Sequence, residues 1–151
     1  EASGLMVIAH NRQAAAALSR LFQGHLLLKH YQITVRGLWQ ETTGSLRLPL
    51  DGKESVTGFQ LLDRDEERGV SRLLINLQTG RFHQIRRHFA AVGFPVMGDP
   101  RYGRGNKNRH GLALRAVRLA FDCPLSGQRR DFQTGESFAF GRLPEGKGSS
   151  I

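Results

Sequence analysis

Between residues 26 and 36 apolar and polar positions alternate, with Lys29, Tyr31, Ile33 and Val35 on one face and His30, Gln32, Thr34 and Arg36 on the other. A period of two predicts a strand with two different faces, closed here by Gly37. Upstream, the apolar run at residues 5–9 has strand length. Asn11 then stands ahead of four alanines, Leu18, Leu21 and Phe22, a helix by propensity and spacing that Gly24 ends. Downstream, Thr42-Thr43-Gly44 reads as a turn, followed by alternation of Leu46, Leu48 and Leu50, with Pro49 marking an edge or a strand end. Asp51-Gly52 turns the chain again, residues 56–62 resume a strand, and residues 63–69 form a charged loop. Ser71, Leu73, Ile75 and Leu77 alternate as a further strand that leads into Thr79-Gly80.

Ile85, Phe89 and Val92 are four and three apart and mark one face of a short helix, with Gly93 and Pro95 as its stop. Gly98-Asp99-Pro100 is a turn, residues 103–111 a flexible basic loop, residues 117–121 a strand, Ser126-Gly127 a turn and residues 128–132 a last short strand. The pattern predicts an α+β fold with a mixed, mainly antiparallel sheet and few helices. It divides into one domain over residues 1–140 and a flexible tail over 141–151, rich in Gly, Ser and Lys.

Composition changes this picture at one point. The 151 residues are 39% hydrophobic and 23% charged, ordinary for a globular domain, but the net charge is +9 and the sequence pI is 11.0. Such an excess attracts polyanions, nucleic acid first, with a merely soluble basic surface as the plain alternative. No segment has the apolar length of a membrane span, and no membrane partner or obligate protein partner is inferred. The single cysteine, Cys123, cannot form an internal disulfide, which fits a reducing, cytoplasmic setting.

Chemistry concentrates in residues 77–103, where Arg81, Arg86 and Arg87 are interleaved with His83 and His88. The two histidines are five apart with arginines between them, a poor spacing for a zinc pair, so no metal site is expected. Gly103-x-Gly105 lacks the third glycine of a dinucleotide loop, and no phosphate loop or nucleophile elbow is present. What remains is a set of guanidiniums at the edge of a helix, suited to phosphate, and a loop after it with no carboxylate. From the residue alone, Tyr31 is most simply a core aromatic.

The stretch Leu77-Gln78-Thr79-Gly80-Arg81-Phe82-His83-Gln84-Ile85-Arg86, followed by Gly93-Phe94-Pro95-Val96-Met97-Gly98-Asp99-Pro100-Arg101-Tyr102-Gly103, resembles the signature of the RluA-type pseudouridine synthases. Lys29-His30-Tyr31 is similar to that family's Lys-x-Tyr strand, Asp51-Gly52-Lys53 with Thr57 to its middle hairpin, and Leu112-Ala113-Leu114 onward to its last motif. The resemblance implies the pseudouridine synthase catalytic fold and isomerisation of uridine to pseudouridine in rRNA or tRNA, with no cofactor. In this family an aspartate attacks the uridine, the glycosidic bond breaks, and the base turns and rejoins through carbon 5.

Carried over by position, the resemblance implies that Tyr31 stacks on the base and assists proton removal, and that Arg86 pairs with the catalytic aspartate. Leu114 would pack near the base, and Lys29, Arg81, His83, Arg87 and Arg101 would support the loop or approach phosphate. The family motif Arg-Leu-Asp-x-x-Thr-Ser-Gly would place its aspartate two residues before Glu1, so the intact parent is expected to be the enzyme and this chain alone to be inactive. A non-catalytic RNA-binding module that retains the fold is the alternative. Arg115 and Cys123 depart from histidines usual in the family, which bears on the substrate subgroup.

Overall fold

The computed structural model of the chain describes residues 2–134; Glu1 and the expected tail at 141–151 lie outside the described residues. Seven strands and two helices are present among them, in the order β1 (Ser3–Gly4), α1 (Arg12–Gln23), β2 (Leu28–Arg36), β3 (Thr43–Leu46), β4 (Thr57–Asp65), β5 (Val70–Leu77), α2 (Gln84–Ala91), β6 (Leu114–Asp122) and β7 (Arg129–Gln133). One sheet runs β1-β6-β2-β5-β4-β3, with β7 also on β6. Only β1–β6 is parallel; every other pairing is antiparallel. This is the mixed, mainly antiparallel α+β sheet that the alternation predicts.

The central strand β2 shows why its two faces differ. Its register sets Tyr31 beside Ile75 and Ala116, and Ile33 beside Leu73 and Leu114. That face carries the main core, where Ile33, Val35, Phe59, Leu73 and Ile75 meet Ile85 and Phe89 of α2. Trp39 is packed edge-on against Phe59 and Phe94, at 4.9 Å from each ring centroid. A second cluster joins Leu21 of α1 to Leu27, Leu119 and Phe121. Because Lys29 pairs with Leu119, this cluster lies on the same sheet face, so both helices cover one side.

Several boundaries differ from the sequence pattern. Residues 5–9 are not a strand: pairing with β6 ends after the Leu5 N–H reaches the Ala116 carbonyl, and Leu5 and Val7 pack inward while Met6 and Ile8 face outward. Thr43-Gly44 lies within β3 rather than in a turn, because β4 pairs with it residue for residue. Leu46 closes the β3 ladder opposite Thr57, and beyond it the alternation through Leu48 to Leu50 is one of burial outside any named strand. The charged loop shortens to residues 66–69, because Asp63 is paired across the hairpin with Arg72 and prolongs both strands. Residues 103–111 are folded back by hydrogen bonds, with the Gly98 N–H on the Asn106 carbonyl and the Asn106 side chain on the Val96 carbonyl. The last major strand begins at Leu114, three residues earlier than the pattern suggests.

Candidate active site

A hairpin, a helix and a loop converge above β2. Asp51 and Gly52 both have positive φ, 54° and 71°, as a two-residue hairpin turn requires, and Leu50 and Lys53 exchange hydrogen bonds across it. The Glu54 carbonyl, just beyond, accepts from Nε and Nη2 of Arg81 at 3.1 and 2.9 Å. Gln84, at the start of α2, ties the approach together. Its Oε1 accepts from the Thr79 hydroxyl and the Arg81 N–H, and its Nε2 donates to the Val56 carbonyl and the Thr57 hydroxyl. All four hydrogen-bonding sites of this buried amide group are thus used.

The network holds His83 ahead of α2 in the left-handed conformation, φ 50°, a costly backbone for a non-glycine residue. Arg86 Nη1 donates to His83 Nε2 at 3.3 Å, so the proton of a neutral ring sits on Nδ1, which faces the Tyr102 hydroxyl at 3.2 Å. His88 points elsewhere, hydrogen-bonded to the Thr57 hydroxyl and the Leu48 carbonyl. The two histidines diverge, and no group of three metal-ligating side chains occurs among the described residues.

Arg86 is not at the helix edge but buried, with its side chain 8% exposed. Its Nε and Nη2 donate to the two oxygens of Asp99, both at 2.8 Å, and its guanidinium lies 5.1 Å from the Tyr102 ring centroid. Asp99 also accepts the N–H groups of Arg101 and Tyr102. Burial alone would raise the Asp99 pKa; the Arg86 and backbone hydrogen bonds outweigh it, so the carboxyl sits below its ordinary value.

These elements enclose a cavity of about 480 Å³ lined by Ala2, Tyr31, Leu77, Arg81, His83, Gln84, Ile85, Arg86, Leu112 and Leu114. Five of the residues expected at a site therefore meet: Tyr31 from β2, Arg81 and His83 from the turn, Arg86 from α2 and Leu114 from β6. A bulge between His30 and Tyr31, where β2 pairs with β6, falls at the cavity wall. Burial raises the Tyr31 pKa, which keeps the phenol neutral near pH 7.

The other three expected residues lie outside the lining. The Lys29 amine sits against Gly80, where an added Cβ would be 3.0 Å from Nζ, and burial lowers its pKa. Arg87 forms a two-pronged pair with Asp51, at 2.8 and 2.9 Å. Arg101 is exposed beside the rings of Phe82 and Tyr102. Sequence reasoning missed Gln84, Tyr102 and Asp99 as parts of the site. A signal existed for the last: Asp99 is the only carboxylate between Glu67 and Asp122.

Known proteins resemble this chain in sequence and in fold. A family model described as RNA pseudouridylate synthase matches residues 1–91. An uncharacterized RNA pseudouridine synthase of Aquifex aeolicus is 38% identical over 117 residues, 68% of this chain and 37% of that protein. The dual-specificity RNA pseudouridine synthase RluA of Vibrio parahaemolyticus is 37% identical over 144 residues, 82% of this chain and 58% of that one. The chain spans about half the length of the curated relatives it matches. Among solved structures, human RNA pseudouridylate synthase domain containing 1 superposes with a TM-score of 0.68 at 27% identity, covering 85% of this chain and 62% of that one. The fold is shared with human RNA pseudouridylate synthase domain containing 4, TM-score 0.67 at 18% identity over 93% of this chain and 67% of that one.

Proposed function

The chain belongs to the RNA pseudouridylate synthase family, and we propose that it supplies the uridine-binding cavity of an enzyme that isomerises uridine to pseudouridine in rRNA or tRNA. The observation that carries this reading is the meeting of Tyr31, Arg86 and Leu114 around one cavity, although they are far apart in the chain. Leu114, Leu77 and Ile85 give the cavity an apolar wall suited to an unstacked base, and the Tyr31 ring offers it a flat face. The reaction is an isomerisation: the bond from ribose carbon 1′ to N1 breaks, one to carbon 5 forms, carbon 5 loses its proton and N1 gains one. Nothing is oxidised, and no cofactor or metal is required.

No Asp or Glu lines the cavity among the described residues. The nucleophilic aspartate is assigned to the segment that precedes Glu1 in the intact parent, next to Ala2 at the cavity wall. Arg86 would stand beside that carboxylate and, as a fixed positive charge, favour its ionised form. Arg81 braces the turn, and Lys29, Arg87 and Arg101 serve the RNA backbone or the frame of the site. No helix among the described residues is long and apolar enough to cross a membrane. On separate ground, the single cysteine, which suits a reducing compartment, we place the protein in the cytoplasm.

The intact parent, incubated with bulk rRNA and tRNA, should generate pseudouridine detectable by mass spectrometry of the digested RNA. RNA binding without product on either class would favour the alternative, a binding module that has kept the fold.

A further inference from the structure

Phe82 is 63% exposed, although it lies between two side chains of the cavity wall, Arg81 and His83. Its ring stacks on the His83 imidazole, with centroids 3.7 Å apart and an interplanar angle of 24°. Scattered exposed apolar side chains need no explanation, but this one is held flat against a residue that is itself fixed by Tyr102 and Arg86. The Arg101 guanidinium carbon is 5.9 Å from the Phe82 centroid and 5.5 Å from that of Tyr102. An exposed, pre-oriented aromatic ring with a cation beside it matches the chemistry of single-stranded nucleic acid, whose bases stack on rings while their phosphates meet guanidiniums.

We propose that Phe82, backed by His83 and flanked by Arg101, is a stacking platform for an unpaired RNA base next to the uridine in the cavity. This rests on the RNA reading above and adds a second subsite to it. The platform accepts any base, since every base has a π-face, so it contributes hold and register rather than sequence choice. One base stacks on Phe82 while its neighbour enters the cavity beyond His83, which keeps the strand open at the point of modification.

The test is a thermodynamic cycle with the intact parent and a short uridine-containing single-stranded oligoribonucleotide, scanned with one abasic ribose at a time. Phe82→Ala should weaken binding of the intact oligonucleotide by about 5- to 150-fold, the span of one base–aromatic stack. At one position the abasic oligonucleotide should lose the same factor with the wild-type parent and nothing further with Phe82→Ala. Phe82→Trp should restore binding, and an unchanged thermal transition in Phe82→Ala would show the fold intact. Wild-type affinity in Phe82→Ala, or a loss that adds to every abasic substitution, would overturn the platform while leaving RNA binding in place. Failure of the wild-type parent to bind RNA at all would overturn both readings.

Discussion

Arg86 and Asp99 grip each other by two parallel hydrogen bonds of 2.8 Å, with the carboxylate wholly buried and the guanidinium nearly so. The pair joins α2 to the loop that follows it, and it fixes the plane of the one guanidinium that lines the cavity from a helix. Two-pronged geometry of this kind sets direction as well as charge. Asp99 therefore acts on the site through Arg86.

Asp99→Asn should destabilise the fold by about 3–5 kcal/mol, the range for breaking one side of a buried pair. The folded-state pKa of Asp99 is below its usual 3.8, so its contribution is complete above that value and is lost as pH falls through the folded value. Urea titrations at neutral pH and near pH 3 check this. A variant as stable as wild type at neutral pH would mean that the pair contributes nothing.

Tyr31→Phe keeps the ring and removes the hydroxyl. RNA binding by the intact parent should change little, while turnover should fall by about 10²–10⁴, the scale of a lost acid–base group. Equal turnover in the two proteins would reduce Tyr31 to a stacking residue.

Stability should fall on mild acidification for a separate reason. Burial, with Arg118 adding to it, lowers the His30 pKa from 6.5 to about 4 against an opposing pull from Asp131. The unfolded chain then binds more protons between those values, so stability is full above pH 6.5 and falls towards pH 4. His88 is lowered in the same sense, chiefly by burial. Denaturation midpoints measured across this window should slope less for His30→Gln than for wild type. Parallel slopes would show that His30 is not the group responsible.

Gly98 carries φ 74°, and a methyl group there would overlap the Gly111 carbonyl oxygen. Gly98→Ala should open the loop that presents Asp99 and lower the melting temperature by several degrees, roughly the effect of 1–2 kcal/mol in a domain of this size. An unaltered melting curve would count against this close approach.

Much of the sheet was legible because β2 and β5 alternate cleanly and turn signals separate them. Asn11 and Gly24 likewise bounded α1, where the Asn11 side chain accepts the Ala14 N–H. What failed was anything that depended on a partner. Residues 5–9 look like a strand, but the ladder with β6 ends at Ser3 and Gly4 just ahead of them, and Asp63 looks like loop until Arg72 is opposite it. In the site, Tyr31, Arg81, His83, Arg86 and Leu114 came from matching motifs. Arg87 carries the same charge one residue from Arg86 but turns to Asp51, because successive helix positions lie about 100° apart. Asp99 read only as part of a turn, since its pairing spans thirteen residues and leaves no local pattern.

In the proposed function Arg86 serves the nucleophilic aspartate rather than the RNA backbone. The most direct test of this role is tritium release from RNA carrying 5-tritiated uridine, measured for the intact parent and its Arg86→Lys variant alongside their RNA affinities. Lys keeps the charge but not the planar fork. Release by the parent is expected, and for the variant a loss of about a hundredfold or more, on the scale of transition-state contacts, with affinity nearly unchanged. No release by the parent on any RNA, or equal losses of affinity and release in the variant, would contradict that role.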